Sequence, residues 1–183
     1  MNLLLEPHPD DAALFAAYTC LRNHPLVVTC LKADVQYQRG HAITPEMRED
    51  ENRCALNLLG CERRQLEISE AGPSMTQLEV ELFAIEKELE PEVVWAPAVE
   101  EDGHLQHTMV ARAAQMVFGA RVRPYMTYRR GHGRSKGQTV IIPTPGERSL
   151  KRQALQCYES QIALENTAFW FSEGSDWGKE WLA

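Results

Sequence analysis

The sequence predicts an α/β fold in which a mainly parallel β-sheet is covered by helices on both faces. Apolar, strand-like runs alternate with amphipathic helical patterns along most of the chain, an order that is typical of parallel sheets. Histidines and carboxylates recur where such a run gives way to a helix, and these junctions share one edge of a parallel sheet. We therefore expect a single domain over residues 1–183, a Rossmann-like three-layer sandwich with its functional site at the C-terminal edge of the strands.

The first half of the chain contains three predicted strands and two predicted helices. The strands are Asn2–Glu6, Leu26–Lys32 and Gln65–Ile68, and the second is rich in the β-branched residues that favour strands. The helices are Asp11–Arg22 and Pro45–Leu59; for the second, Thr44 is the expected N-cap and Gly60 follows the last turn. The polar segment Asp34–Thr44, between the second strand and the second helix, predicts a loop that is long enough to act as a functional lid.

In the second half of the chain, strands and helices continue to alternate as far as Phe118, and the pattern changes after that. Apolar residues at positions 78, 82, 85 and 89 predict a helix over Met75–Leu89. The strand Glu92–Trp95 and the helix Thr108–Phe118 follow. Strand-like pieces over Arg121–Arg129 and Thr139–Ile142 come next, then a helix over Gly146–Gln161 and an aromatic tail.

Composition and charge argue against several classes of function. The formal net charge of −7 argues against nonspecific binding to nucleic acid. No apolar run is long enough for a membrane span, and no signal peptide is visible. The five cysteines are scattered without a metal or redox motif, which predicts reduced thiols and a cytoplasmic location.

The most informative motif follows the first strand. His8, Asp10 and Asp11 lie between the apolar run Leu3–Leu5 and the first helical pattern. Imidazole and carboxylate groups suit zinc, and a second carboxylate beside a metal can accept a proton. The alternative is a helix N-cap made by Asp10 or Asp11; the added histidine and the strand-end position favour a site.

A second histidine-containing junction follows the strand that ends near Pro97. His104 and His107 stand just before a helical stretch. Two histidines three residues apart are a weak metal signal by themselves. Because both junctions are expected at the same sheet edge, His8, Asp11 and one of these histidines can converge.

With these residues, the chain resembles the LmbE/PIG-L superfamily of zinc-dependent N-acetylglucosaminyl deacetylases. Its segments P-H-P-D-D-A and H-L-Q-H stand where that family has P-H-P-D-D-E and H-x-D-H. Further segments agree in the same order along the chain: the helix with Arg48, Glu51, Ala55, Leu59 and Gly60; the strand Val93–Pro97; the late helix with Lys151, Tyr158 and Gln161; and the closing segment with Trp177, Gly178 and Trp181.

The resemblance implies one zinc ion per chain and a role for each matching residue. The implied metal ligands are His8, Asp11 and His107. Asp10 would be the general base, His104 would stabilise the oxyanion or protonate the leaving amine, and Arg48 would help to hold the substrate. Three protein ligands leave an open zinc position for water, whose pKa the metal lowers. For Arg48, the alternative is a structural ion pair with Glu51 or Asp50.

Two positions depart from the family pattern. Ala12 replaces the usual glutamate, and Gln106 replaces an aspartate that is expected to orient a histidine, His104 or His107 in our interpretation. Changes around metal ligands often cost about tenfold to a hundredfold in affinity or activity. The five residues proposed as ligands, base and acid are nevertheless all present.

These observations predict a zinc-dependent hydrolase that removes an acetyl or other small acyl group from an amide nitrogen of an amino sugar or related intermediate. The alternative is a non-catalytic relative that binds a ligand or partner. The basic segment 129–136 is expected to be a solvated loop rather than an anion contact. The aromatic tail is expected to pack in the core or against a second copy of the chain rather than on a sugar.

Overall fold

The fold is built on a seven-stranded, mainly parallel sheet, seen in a computed structural model that describes residues 1–38, 40–100, 103–129, 133–134, 136–164, 167–171 and 179–183. In the order in which they lie in the sheet, its strands are β10 (Thr139–Ile141), β11 (Glu180–Leu182), β7 (Val122–Tyr125), β6 (Val93–Pro97), β1 (Asn2–Glu6), β2 (Leu26–Thr29) and β5 (Arg63–Gln65). Strands β7, β6, β1, β2 and β5 pair in parallel, and β11 and β10 complete one end in antiparallel. The prediction of an α/β fold with a mainly parallel sheet is confirmed.

The strands of this sheet are short. In chain order they are β1 (Asn2–Glu6), β2 (Leu26–Thr29), β5 (Arg63–Gln65), β6 (Val93–Pro97), β7 (Val122–Tyr125), β10 (Thr139–Ile141) and β11 (Glu180–Leu182). Two hairpins lie outside the sheet: β3 (Gln36–Gln38) with β4 (His41–Ile43), and β8 (Tyr128–Arg129) with β9 (Gly133–Arg134). The predicted loop over Asp34–Thr44 is therefore largely a β-hairpin.

Seven α-helices are described. They are α1 (Asp11–Phe15), α2 (Ala17–Asn23), α3 (Pro45–Leu58), α4 (Met75–Leu89), α5 (Leu105–Phe118), α6 (Pro145–Gln156) and α7 (Glu159–Ile162). Short 3₁₀ turns cover Gly119–Arg121 and Ala168–Phe171. As predicted, Thr44 caps α3 by accepting a hydrogen bond from the Met47 amide, and Gly60 follows the helix with φ +72°.

Alternate residues of β1 supply the two hydrophobic layers. Leu4 packs with residues of α1, α2, α3 and α6 on one face, whereas Leu3 and Leu5 pack with α4 and α5 on the other. Side chains of successive strand residues point to opposite faces, so an uninterrupted apolar run is what a strand covered on both sides requires. This packing fixes the end of β1, and with it the turn at His8.

The predicted first helix is broken at Ala16, where the backbone leaves helical geometry. At this break, side chains from distant segments bond the Leu14 carbonyl and the Tyr18 amide. Lys151 donates to that carbonyl at 2.8 Å, and the Glu180 carboxylate accepts from that amide at 2.9 Å. Lys151 and Glu180 also form a buried ion pair of 2.7 Å, so contacts from α6 and β11 satisfy the broken turn.

Cysteine pairing differs from the prediction. Cys54 of α3 and Cys157, just after α6, form a disulfide, whereas Cys20, Cys30 and Cys61 are free and buried. The prediction of five reduced thiols is wrong for this pair, whose partners are 103 residues apart in the sequence. Cysteine usage therefore no longer supports a cytoplasmic location, which stays a prediction. The expected homo-oligomer also stays a prediction.

Within the described ranges, none of the helices has the length and apolarity that crossing a membrane requires. Trp177, Gly178 and, in the basic segment 129–136, residues 130–132 and 135 lie outside the described residues, so the predictions made for them stay predictions.

Candidate metal centre and catalytic cavity

The turn between β1 and α1 holds three of the predicted site residues. Asp10 occupies the N-cap position of α1 but makes no side-chain capping hydrogen bond. Asp11 points back instead, and its Oδ2 accepts a hydrogen bond from the His8 amide at 2.8 Å. The helix-cap interpretation is therefore wrong for both carboxylates.

Three potential ligand atoms form a nearly equilateral triangle. His8 Nδ1 lies 3.2 Å from Asp11 Oδ2, and His107 Nε2 lies 3.2 Å from each of these two atoms. His107 and Asp11 each have side chains only 2% exposed. Because β1 and β6 are neighbours in the parallel sheet, the junction after each strand lies at the same edge, and His107 in the first turn of α5 reaches the β1 turn.

Electrostatics favour a cation within this triangle. Burial by itself would lower the pKa of His8, but the hydrogen bond and negative charge of Asp11, helped by Asp10, raise it to about 9. Burial would raise the pKa of Asp11, but the charge of His107 and hydrogen bonds from both histidines hold it well below its usual range. A proton or a metal ion can satisfy this demand for positive charge.

Two further side chains orient the histidines, and sequence analysis missed one of them. Thr127 Oγ1 lies 3.2 Å from His107 Nδ1, so a proton on Nδ1 leaves the Nε2 lone pair facing the triangle. Gln106 Oε1 lies 2.7 Å from His8 Nε2, which assigns the His8 proton to Nε2 and its lone pair to Nδ1. Thr127 follows β7 without any motif around it, so nothing in the sequence marks it.

Gln106 contacts a different histidine from the one expected. Its carboxamide accepts from His8 at 2.7 Å and donates to the Glu70 carbonyl at 2.6 Å. An amide can serve an N–H donor and a carbonyl acceptor at once, whereas an ionised aspartate can only accept. The glutamine is thus suited to bridge His8 and the loop that carries Glu70.

Asp10 and Arg48 form the side of the cavity next to the triangle. Arg48 Nη2 donates to Asp10 Oδ2 at 2.8 Å, and the arginine side chain is only 5% exposed. Arg48 Nη1 is 3.8 Å from Glu51 of the same helix, so the expected intrahelical ion pair is also present. Among the described residues, Arg48 Nε and Nη1 have no hydrogen-bond partner, which leaves donors available next to Asp10.

His104 and an aromatic cluster lie around the rest of the cavity, whose volume is about 630 Å³. The His104 ring centroid is 5.3 Å from that of His8 and 5.1 Å from that of His107. Tyr128 stacks on Trp170 with centroids 4.9 Å apart, and both line the cavity. Trp170 belongs to the aromatic tail, which therefore lines the site as well as packing against the core.

At the remaining departure from the family pattern, Ala12, a buried carboxyl group from β1 lies beside the turn. Ala12 is fully buried, and its backbone amide donates to Glu6 Oε2 at 3.0 Å. Glu6 also accepts from Thr29 and Asn52, both at 2.6 Å. A buried carboxylate thus lies against the turn at position 12, although residue 6 supplies it.

The donor set and its spacing fit a zinc ion. A tetrahedral site with bonds of about 2.0–2.1 Å places ligand atoms about 3.3 Å apart, close to the 3.2 Å edges of the triangle. A wider grouping of His8, His104 and His107 offers three nitrogens within 4.8 Å of one another. The triangle that includes Asp11 is the tighter of the two.

Comparison with known proteins agrees with the fold and the order of the motifs. The family described as GlcNAc-PI de-N-acetylase (PIG-L) matches residues 3–118, a range that includes all six predicted site residues. The curated proteins contain no match to the chain.

Solved structures share the fold at low sequence identity. The zinc-inhibited form of teicoplanin deacetylase Orf2 is 20% identical with a TM-score of 0.71, over 94% of this chain and 87% of that one. N,N'-diacetylchitobiose deacetylase from Pyrococcus horikoshii is 15% identical with a TM-score of 0.65, over 92% and 74% of the chains. GalB, a 4-carboxy-2-hydroxymuconate hydratase from Pseudomonas putida, is 13% identical with a TM-score of 0.66, over 93% and 82%. Because a hydratase shares the fold, the reaction must be argued from the site.

Proposed function

We propose that this chain, which belongs to the PIG-L family of de-N-acetylases, is a zinc-dependent hydrolase of linear amides. Its substrate would be an amino sugar, or a related biosynthetic intermediate, that carries an acetyl or other small acyl group on nitrogen. The observation that carries this proposal is the triangle of His8, Asp11 and His107 with the Asp10–Arg48 pair beside it.

In this proposal His8, Asp11 and His107 hold one zinc ion, which when bound would lower the pKa of a water molecule and polarise the substrate carbonyl. Asp10 accepts the proton of the attacking water. Its hydrogen bond from Arg48 fixes the position of the carboxylate.

His104 acts on the far side of the reacting amide. The centroid of its ring lies 5.3 Å from that of His8 and 5.1 Å from that of His107. From there it either donates to the developing oxyanion or protonates the leaving nitrogen. Water adds to the carbonyl carbon, the C–N bond breaks, and a carboxylate and a free amine leave. The aromatic surface of Tyr128 and Trp170 would pack against the apolar face of a sugar.

The test is acetate release from a panel of N-acetylated amino sugars by the zinc-loaded protein. We expect activity in the native protein and a loss of about a hundredfold to ten-thousandfold in Asp10→Asn, because asparagine cannot accept the proton. Zinc content should be unchanged in this variant, since Asp10 is outside the triangle. Near-native turnover by Asp10→Asn would contradict its role as base.

The non-catalytic alternative makes a different prediction for the same panel. A binding relative would hold zinc and sugar without releasing acetate or amine from any member. The contact of Gln106 with His8 argues against a decayed site, because this departure from the family pattern still makes a specific polar contact.

A further inference from the structure

A second cavity of about 590 Å³ adjoins the catalytic cavity. Four residues line both: Glu70, Ala71, His104 and Gln106. Gln106 spans the boundary, with its side chain bonded to His8 on one side and to the Glu70 carbonyl on the other. The second cavity, which we call the α5 groove, therefore begins where the catalytic cavity ends, at His104 and Gln106.

Four of the six residues that line the α5 groove beyond the boundary are apolar. Pro73 and Met75 contribute from the start of α4, and Leu105 and Met109 from consecutive turns of α5. Leu105 is 74% exposed at the rim. Covering such surface is favourable by about 25 cal/mol per Å², so the groove would retain a hydrocarbon segment.

The α5 groove also contains a cation. Arg112 lies one turn after Met109, is exposed, and has no hydrogen-bond or ion-pair partner among the described residues. A guanidinium recognises a carboxylate or a phosphate through paired N–H donors. Glu70, the acidic residue of the groove, is already engaged through Oε1 by the Asp34 amide at 3.0 Å.

We propose that the α5 groove is a substrate subsite, and that the substrate is an N-acylated amine with an apolar segment of several carbons that ends in an anionic group. This inference rests on the proposed hydrolysis at the neighbouring triangle. The apolar segment lies along Met75, Leu105 and Met109, and Arg112 pairs with the anionic end. The segment belongs either to the acyl half or to the amine half of the substrate, and the probes below separate the two.

The test is calorimetric binding to the zinc-loaded Asp10→Asn protein, which needs no turnover. One probe series consists of the methyl, octyl and ω-carboxyoctyl glycosides of N-acetylglucosamine. The other consists of methyl glucosaminide acylated with acetyl, octanoyl and ω-carboxyoctanoyl groups. Arg112→Gln is compared with Arg148→Gln, a change on α6 and outside the groove. Arg148 is also exposed, and its side chain has no hydrogen-bond or ion-pair partner in the part of the chain that the structure describes.

In the series whose chain occupies the groove, the octyl or octanoyl probe should bind at least about tenfold more tightly than the short probe, because its methylenes are buried. The ω-carboxylate should add about threefold to tenfold. Arg112→Gln should abolish only this second gain, and Arg148→Gln should change neither. Equal affinity for short and long probes in both series would overturn the subsite.

If the ω-carboxylate does not increase affinity, or if it still does so in Arg112→Gln, the pairing of Arg112 with an anionic end of the substrate would be overturned. A different result would contradict the proposed hydrolysis but not the subsite. The native protein would then release no acyl group from any probe, while chain-length and Arg112 dependence would still be seen in binding.

Discussion

Gln106→Leu removes the side chain that orients His8 while leaving every proposed metal ligand in place. The native carboxamide makes two hydrogen bonds, to His8 Nε2 at 2.7 Å and to the Glu70 carbonyl at 2.6 Å. At about 0.5–1.5 kcal/mol each, they sum to about 1–3 kcal/mol. The first fixes the His8 proton on Nε2, and the second holds the amide in position for that bond.

We therefore expect Gln106→Leu to weaken zinc binding by about tenfold to a hundredfold, which corresponds to about 1.4–2.7 kcal/mol. The assay is competition with a colorimetric zinc chelator at a pH where all variants are folded. Gln115→Leu is the matched control, because Gln115 is an exposed residue of the same helix. A change below about threefold, or an equal change in the control, would refute the orienting role of Gln106.

Three further predictions concern the support of the site and of the fold. Arg48→Gln should retain zinc but lower deacetylation at least about tenfold, because Asp10 loses the donor that fixes it; unchanged activity would leave Arg48 with only a structural role. Lys151→Met should lower the free energy of unfolding by about 3–5 kcal/mol, because the buried Glu180 carboxylate loses its counter-ion; the exposed Lys179→Met is the control, and equal denaturation midpoints would contradict the prediction. Glu147→Gln should cost about 1 kcal/mol at pH 7, a value limited by the partial exposure of the Arg22–Glu147 pair. The hydrogen bond from Arg22 lowers the pKa of Glu147 from 4.5 to about 2, so the native carboxylate stabilises the fold above pH 4.5 and the difference between native and variant should shrink as the pH falls towards 2. Unfolding curves that stay equally far apart from pH 7 to pH 3 would contradict the assignment.

The predicted site residues converge because local sequence signals determine their positions. The run Leu3–Leu5 and the strand before Pro97 identify buried parallel strands, and the junctions after parallel strands share an edge. His8, Asp11 and His107 therefore come together although about a hundred residues separate the two segments. Their role as zinc ligands stays a proposal that this geometry supports.

The features that were missed depend on contacts between distant segments. Alanine favours helices, so nothing local predicts the break at Ala16, which is stabilised by Lys151 and Glu180. Strand β11 is short, and it pairs with β7 and β10, which lie about 40–60 residues earlier in the sequence. The Cys54–Cys157 disulfide likewise depends on α3 packing beside the end of α6, which spacing alone does not reveal.

The contact of Gln106 with His8 was missed for a related reason. Its position next to His107 suggested a neighbour on the same segment, but its side chain extends across the sheet edge to the β1 turn. Side-chain direction at a helix start is set by the backbone of the first turn, which the sequence pattern does not specify.

The central claim, that Asp11 and not His104 completes the metal site, is tested most directly by zinc content. The measurement is elemental analysis of native protein, Asp11→Ala and His104→Ala after equilibration with zinc and removal of the excess. We predict one zinc ion per chain in the native protein and in His104→Ala, and none in Asp11→Ala, because Asp11 Oδ2 lies 3.2 Å from both histidine nitrogens of the triangle. Retention of zinc by Asp11→Ala together with its loss from His104→Ala would contradict the claim and favour the wider His8–His104–His107 grouping.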